Sequence, residues 1–147
     1  MKKIIMGFLG EENSGRTTAA NVLKKKGFHK VSINDKVEEF ASHLFQEEEM
    51  ETDRLSILNN VRKRGIMVNK EYWLNLVLIS VPDDKNNIVF DDISLDEASN
   101  KNVMAYQIYR PDVSTIELPD VEIILNDGSI ADFTKKIQSL HDTLLKK

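Results

Sequence analysis

The chain contains no cysteine, which excludes disulfides and thiolate metal sites. Its three histidines, His29, His43 and His141, show no metal-ligand spacing and are read as structural or surface residues. Positive charge is not in excess. The chain has 20 Lys and Arg against 24 Asp and Glu, a net charge of −4, so the basic footprint of a nucleic-acid binder is missing and no direct nucleic-acid contact is expected. No apolar stretch is long enough to span a membrane. The apolar run near the N-terminus is short and leads straight into a glycine loop, so it is not a signal peptide, and a cytoplasmic protein is expected. Repeats, low-complexity tracts and linkers are also lacking, and 147 residues suit a single domain.

What is present is concentrated at the start. Residues 10–17 read Gly10-Glu11-Glu12-Asn13-Ser14-Gly15-Arg16-Thr17. The phosphate-loop pattern is G-x-x-x-x-G-K-[ST], so both glycines, the spacing and the hydroxyl are present, with arginine in place of lysine. Lys3 to Leu9 before it has the length of a buried strand. Thr17 to Lys26 after it reads as a helix with lysines in its last turn and Gly27 as its stop. Strand, loop and helix in that order bring backbone N–H groups and a helix N-terminus onto an anion. Gly10, Asn13, Ser14, Gly15, Arg16, Thr17 and Thr18 are therefore the expected nucleotide cradle, with Thr17 as the hydroxyl for Mg²⁺. Gly15→Val is expected to block nucleotide binding and leave the fold intact.

The rest of the chain alternates. Strands are expected at Phe28–Ile33, Ile88–Phe90, Val103–Tyr109 and Val121–Leu125. A helix at 34–46 presents Val37, Phe40, Ala41 and Leu44 on one face; one at 53–64 presents Leu55, Leu58 and Val61; another begins near Asn69. Glu47 to Glu51 reads as a solvated loop or helix end, and Pro82 to Asn87 as a polar turn. Ser94 and Glu97 form a capping box for a short helix. After a turn at Asn126-Asp127-Gly128, Ser129 and Asp132 cap a final helix with Ile130, Phe133, Ile137, Leu140 and Leu144 on its apolar face. The expected fold class is α/β, a three-layer phosphate-loop kinase fold with a five-stranded parallel sheet and helices on both faces. Ligands in such folds sit beyond the C-terminal strand ends, where the loop, Asp35, Asp91-Asp92 and Arg110 all fall.

These segments in this order resemble the bacteriophage deoxynucleoside monophosphate kinases, within the phosphate-loop monophosphate kinase group that includes dephospho-coenzyme A kinase. Val31–Phe45 resembles the family's S-F-A-D-P-L-K segment and its helix, and Arg54–Trp73 an arginine-rich turn followed by Trp. Asp92–Ala98 resembles D-V-R-F-x-N-E-A, Arg110-Pro111 an R-P, and Asn126–Ser129 an N-x-G-[ST]. Three departures fall where phosphate charge is handled. They are Arg16 for lysine, Ser94 for the usual Arg, and Asp112–Thr115 in place of an H-x-S-E element. The chain is short for the family, which implies a single domain with trimmed monophosphate-binding and lid segments.

The resemblance implies ATP and Mg²⁺ as cofactors, nucleotides as substrates, and the possibility of a homodimer, for which no residue pattern marks an interface. Joining two polyanions needs several cations. The chain has five arginines, and four of them, Arg16, Arg62, Arg64 and Arg110, are the candidates. Arg16 would meet the donor's β- and γ-phosphates, and Arg110 donor phosphate or base; Arg62 or Arg64 would meet the acceptor phosphate, or else Arg62, Lys63 and Arg64 form only a solvated helix end. Asp92, with Asp91 as its neighbour, would orient the metal's water shell. Asp35 would contact the acceptor or support catalysis, or else serve only as a helix N-terminal acid. Tyr72 and Trp73 are core residues rather than walls of a base pocket. Two functions follow from the same residues: phosphoryl transfer from ATP to a (deoxy)nucleoside monophosphate, or nucleotide binding without turnover by a pseudokinase that regulates a partner. A dephospho-coenzyme A kinase-like transfer to another small acceptor shares the same fold.

Overall fold

A computed structural model describes residues 3–82 and 87–145. They form two compact units, one of the residues up to 31 and from 87 onward, the other of Ser32–Pro82.

The first unit is built on five parallel strands, β1 (Ile5–Leu9), β2 (His29–Val31), β3 (Ile88–Phe90), β4 (Met104–Tyr109) and β5 (Glu122–Leu125), in the order β2-β3-β1-β4-β5. β1 lies centrally, with Gly7 opposite Phe90 of β3 and Ala105 of β4. Its flanks are closed to water, which is why it reads as an unbroken apolar run. Helices α1 (Arg16–Lys25) and α6 (Ile130–Leu145) pack on one face of the sheet. Met6, Phe8, Val89, Tyr106 and Ile108 from the strands meet Ala19, Ala20, Leu23, Phe133, Ile137 and Leu144 from those helices. On the opposite face Ile93 lies directly on Gly7, where a Cβ would come within 2.3 Å of its Cδ1. The short helix α5 (Leu95–Ala98) follows, and its expected capping box is present, Ser94 N–H donating to Glu97 Oε1 at 2.7 Å. Ser129 Oγ accepts from Asp132 N at the start of α6, also as expected. Ile130 departs from its expected inward position and is 78% exposed. His141, one turn from Ile137 and Leu144 on the buried face of α6, is itself buried, edge-on against Phe28.

The second unit is helical. Helix α2 (Ile33–Leu44) starts at Ser32, whose hydroxyl accepts from Asp35 N at 3.3 Å. It buries Ile33, Val37 and Ala41, while Leu44, expected on the inner face, is exposed. Helix α3 runs Glu47–Val68, with a break in helical geometry at Asp53. The acidic run read as a loop or helix end is therefore its first turn, where carboxylates favour the helix dipole. Leu55 is exposed, against expectation, and the buried positions of α3 are Met50 and Gly65. Helix α4 (Tyr72–Ser80) buries Trp73, Leu74 and Val77. Trp73 is a core residue: its indole N–H donates to Arg62 O at 2.8 Å, and its ring meets Phe40 and Tyr72 edge-on. Of the expected polar turn from Pro82 to Asn87, residues 83–86 lie outside the described residues.

At Gly65, α3 passes close to Trp73. A Cβ there would sit 2.5 Å from the indole nitrogen and 2.8 Å from Tyr72 Cδ1. A helical Gly→Ala change ordinarily gains up to about 1 kcal/mol. Here the clash outweighs that gain, because the indole is buried and already hydrogen-bonded. Gly65→Ala is expected to destabilise the protein by about 1–3 kcal/mol in urea unfolding; a stability increase would show that the approach is loose.

Candidate functional site

The site starts from the end of β1. The chain leaves the sheet through Gly10 (φ +148°), turns at Asn13 (φ +68°), and enters α1 through Gly15 (φ +115°). These left-handed values suit glycine, and asparagine adopts them more readily than most residues. Ser14 N closes the turn onto Glu11 O at 3.1 Å, and Ser14 itself is fully buried. Ala19 N is the first amide of α1 to reach back to the loop, bonding Gly15 O at 2.9 Å. The N–H groups ahead of it have no carbonyl partner within the helix. Among the described residues no side chain caps α1, and its first turn holds no acid. Other helices here, such as α2 and α5, are capped by serine. The positive end of α1 is thus left available to an anion, with the Thr17 and Thr18 side chains exposed beside it.

Three long-range ties hold the loop. Asn126, following β5, donates from Nδ2 to Ser14 O at 2.8 Å. Thr115, in the connection between β4 and β5, donates its N–H and its hydroxyl to Glu11 Oε1 at 3.2 and 2.7 Å. Arg110 Nη1 donates to Asn13 O at 3.4 Å. The β4–β5 connection has no helix, and Gln107 pins it by bonding Ile116 O and Leu118 N at 2.9 and 2.8 Å. From Pro111 to Val121 it contains no lysine or arginine.

A cleft of about 460 Å³ opens between these segments. It is lined by Glu12, Asn13, Gly15, Arg16, Thr17, Thr18, Arg110, Asn126, Gly128, Ile130 and Phe133. Gly10 and the buried Ser14 shape the loop without lining the cleft. The expected cradle residues and Arg110 are therefore brought to one place. The exposed Ile130 is explained as well, since it forms an apolar wall of the cleft.

Asp91 and Asp92 follow β3. Asp91 N bonds Val31 O at 3.4 Å, so the ladder to β2 continues one residue past the strand. Burial pushes the Asp91 carboxyl above its ordinary range and the Asp92 charge adds to this, while Lys30 and Arg16 pull it back. Its Oδ1 is buried with no hydrogen-bond partner among the described residues. Asp92 is buried too. An orphaned carboxylate oxygen within the electrostatic reach of the loop's arginine fits a hydrated divalent cation. Of the two acids, Asp91 is the one with this observation behind it.

Asp35, Arg62 and Arg64 belong to the second unit. Asp35 sits in the first turn of α2. Arg62 donates from Nη1 to Asn34 Oδ1 at 2.8 Å, and Arg64 is exposed on α3.

This order of strands, with the glycine loop between β1 and α1, defines a phosphate-loop kinase fold. Solved structures agree. The chain is similar to TT1252 from Thermus thermophilus at 16% identity, over 98% of this chain and 99% of that one, with a TM-score of 0.60. It is similar to dephospho-CoA kinase from Campylobacter jejuni at 16% identity, over 97% of each chain, with a TM-score of 0.56. It is also similar to a sugar kinase from Janibacter sp. at 12% identity, over 95% of each chain, with a TM-score of 0.53. At these identities the likeness establishes the fold. No family model matches the chain, and no curated protein matches it. No helix among the described residues is long and apolar enough to cross a membrane.

Arg110 is not idle in this structure. Its Nε is 3.0 Å from Asp112 Oδ1, both side chains being substantially exposed. A bound polyphosphate would compete with Asp112 for that guanidinium. Asp112→Asn is expected to tighten nucleotide binding roughly two- to fivefold, the scale of an exposed ion pair. Titration of a fluorescent nucleotide at low salt reads this; unchanged affinity would mean that Arg110 does not contact the ligand.

Proposed function

We propose that the chain transfers the γ-phosphoryl group of ATP to a (deoxy)nucleoside monophosphate. One observation carries this reading. The loop from Gly10 to Thr17 enters an uncapped helix through a left-handed Gly15 and borders a cleft large enough for a nucleotide. The first-turn amides of α1 hold the donor's phosphates, and Arg16 neutralises their charge. Thr17 and the Asp91-Asp92 pair would hold Mg²⁺. When bound, the metal would supply charge neutralisation on the phosphoryl oxygens. Ile130, Phe133 and Gly128 accommodate the base, and Arg110 reaches phosphate or base. In the second unit Arg62 and Arg64 meet the acceptor phosphate, and Asp35 orients the acceptor. The similarity to a dephospho-CoA kinase and a sugar kinase supports phosphoryl transfer as the reaction class. The ordered resemblance to phage deoxynucleoside monophosphate kinases supports the acceptor. A cytoplasmic protein with nucleotides as its substrates, monomeric or a homodimer, fits this activity.

A second reading has its own observation. Arg16 replaces the loop lysine, Arg110 is engaged by Asp112, and the β4–β5 connection adds no further cation. That combination favours a pseudokinase, which binds nucleotide and regulates a partner without turnover. Labelled Mg-ATP offered to a panel of ribo- and deoxynucleoside monophosphates separates the two. Labelling of one or a few acceptors is the expected result. Tight nucleotide binding with no labelled acceptor would establish the pseudokinase, and labelling of dephospho-coenzyme A instead would change the acceptor class.

A further inference from the structure

Lys30 is a residue that the proposed reaction leaves unused, and its position is unusual for a strand lysine. It sits in β2, paired with Val89 of β3. In-register neighbours on a parallel pair point to the same face, and Val89 belongs to the core beneath α1. The Lys30 side chain is accordingly directed towards α1 and is only 23% exposed. Asn21 of α1 accepts from its Nζ at 2.9 Å, which fixes the ammonium in place. That ammonium lies 3.8 Å from Asp91 Oδ2. Asp91, two residues beyond Val89, falls on the same face by strand alternation. Its other oxygen is the orphaned one.

We propose that Lys30 is the resident counter-cation of Asp91, a positioning residue that holds this carboxylate for the nucleotide's divalent cation and competes with that ion for it. The assignment rests on the nucleotide site proposed above. Asp91 is mostly buried beside Asp92, and two adjacent carboxylates without a cation would repel. Lys30 relieves this from the β2 side and leaves Oδ1 free. The carboxylate is thereby held in place, and an arriving divalent cation must share it with the ammonium. Lys30 thus weakens metal binding while preparing its ligand. A lysine that served only the fold would influence stability and leave metal affinity alone.

The test is the affinity of Mn²⁺ for the wild-type protein saturated with a non-hydrolysable ATP analogue, read from the Mn²⁺ electron paramagnetic resonance signal. Lys30→Met is expected to tighten Mn²⁺ binding about fivefold, the upper range for a partly exposed pair. Lys30→Gln, which keeps a donor for Asn21, is the second neutral variant and should behave alike. Lys30→Arg should restore the wild-type affinity. In an Asp91→Asn background the Lys30 variants should have no effect on the metal. Unchanged or weaker Mn²⁺ binding in both neutral variants, or tightening that persists without the Asp91 carboxylate, would overturn the assignment and leave the nucleotide site standing. Failure of the wild type to bind the analogue would overturn the proposed function, and this assignment with it.

Discussion

Gly15→Val abolishes nucleotide binding and also destabilises the protein, by about 2–5 kcal/mol on the combined scales of backbone strain and overpacking. The sequence alone points to a fold-neutral change, and the structure corrects that expectation. Gly15 has φ +115°, which a β-branched residue adopts only under strain. A Cβ would lie 2.7 Å from Asn126 Nδ2 and 3.2 Å from Phe133 Cε2. Asn126 cannot yield freely, because that nitrogen holds Ser14 O, and Phe133 is buried in the core under α1. Gly27 provides the control. It also has a positive φ, +102°, but nothing lies within 4 Å of its Cβ position. Gly27→Val should show the strain without the clash, and should leave nucleotide binding intact. Urea unfolding and nucleotide titration on both variants separate the two contributions. Full stability in Gly15→Val would show that the loop relaxes, and retained affinity would remove the loop from the site.

The second large effect concerns Arg16. It lines the cleft at the start of α1, and its charge is felt by Asp91. Removing the cation that neutralises transferred charge costs on the order of 10²–10³ in rate, by analogy with single oxyanion donors. Arg16→Ala is therefore expected to reduce transfer by that factor while weakening nucleotide binding less. Arg16→Lys tests the departure from the usual pattern. Lysine offers a compact point charge where arginine offers a longer planar fork, and a loop of this spacing ordinarily carries lysine. The expected result is a faster transfer rate in Arg16→Lys. No gain would show that the fork already reaches the phosphates, or that the missing cations of the β4–β5 connection are what limits the rate. Equal rates in wild type and Arg16→Ala would take Arg16 out of catalysis.

How much of this was legible follows from the range of the interactions. The strand, glycine loop and helix of residues 5–25 are a local signal, because spacing and glycine conformation are set within a few residues. The capping residues Ser94 and Ser129 are equally local, and both act as read. Helix α3 was less legible. The acidic run beginning at Glu47 looks like a solvated loop, yet it opens the helix and favours its dipole. The helix expected to end at 64 runs on through Gly65 to Val68, and Gly65 is where a Cβ would meet the Trp73 indole. Leu55 and Leu44 fit a helical period but not the packed face. The ties that complete the site could not be read at all. Asn126 to Ser14 spans 112 residues and Thr115 to Glu11 spans 104. Lys30 meets Asp91 only because β2 pairs with β3 in one register. A one-residue slip would turn Lys30 to the other face.

The measurement that tests the central claim most directly is an amide-resolved nuclear magnetic resonance titration of the labelled protein with Mg-ADP. The account predicts that the amides of Gly15, Arg16, Thr17 and Thr18 shift first and furthest, with Asn126 and Gly128 following and the helices of Ser32–Pro82 moving less. Saturable binding that leaves residues 10–18 unmoved, or no binding at all, would contradict the assignment of this loop as the phosphate site.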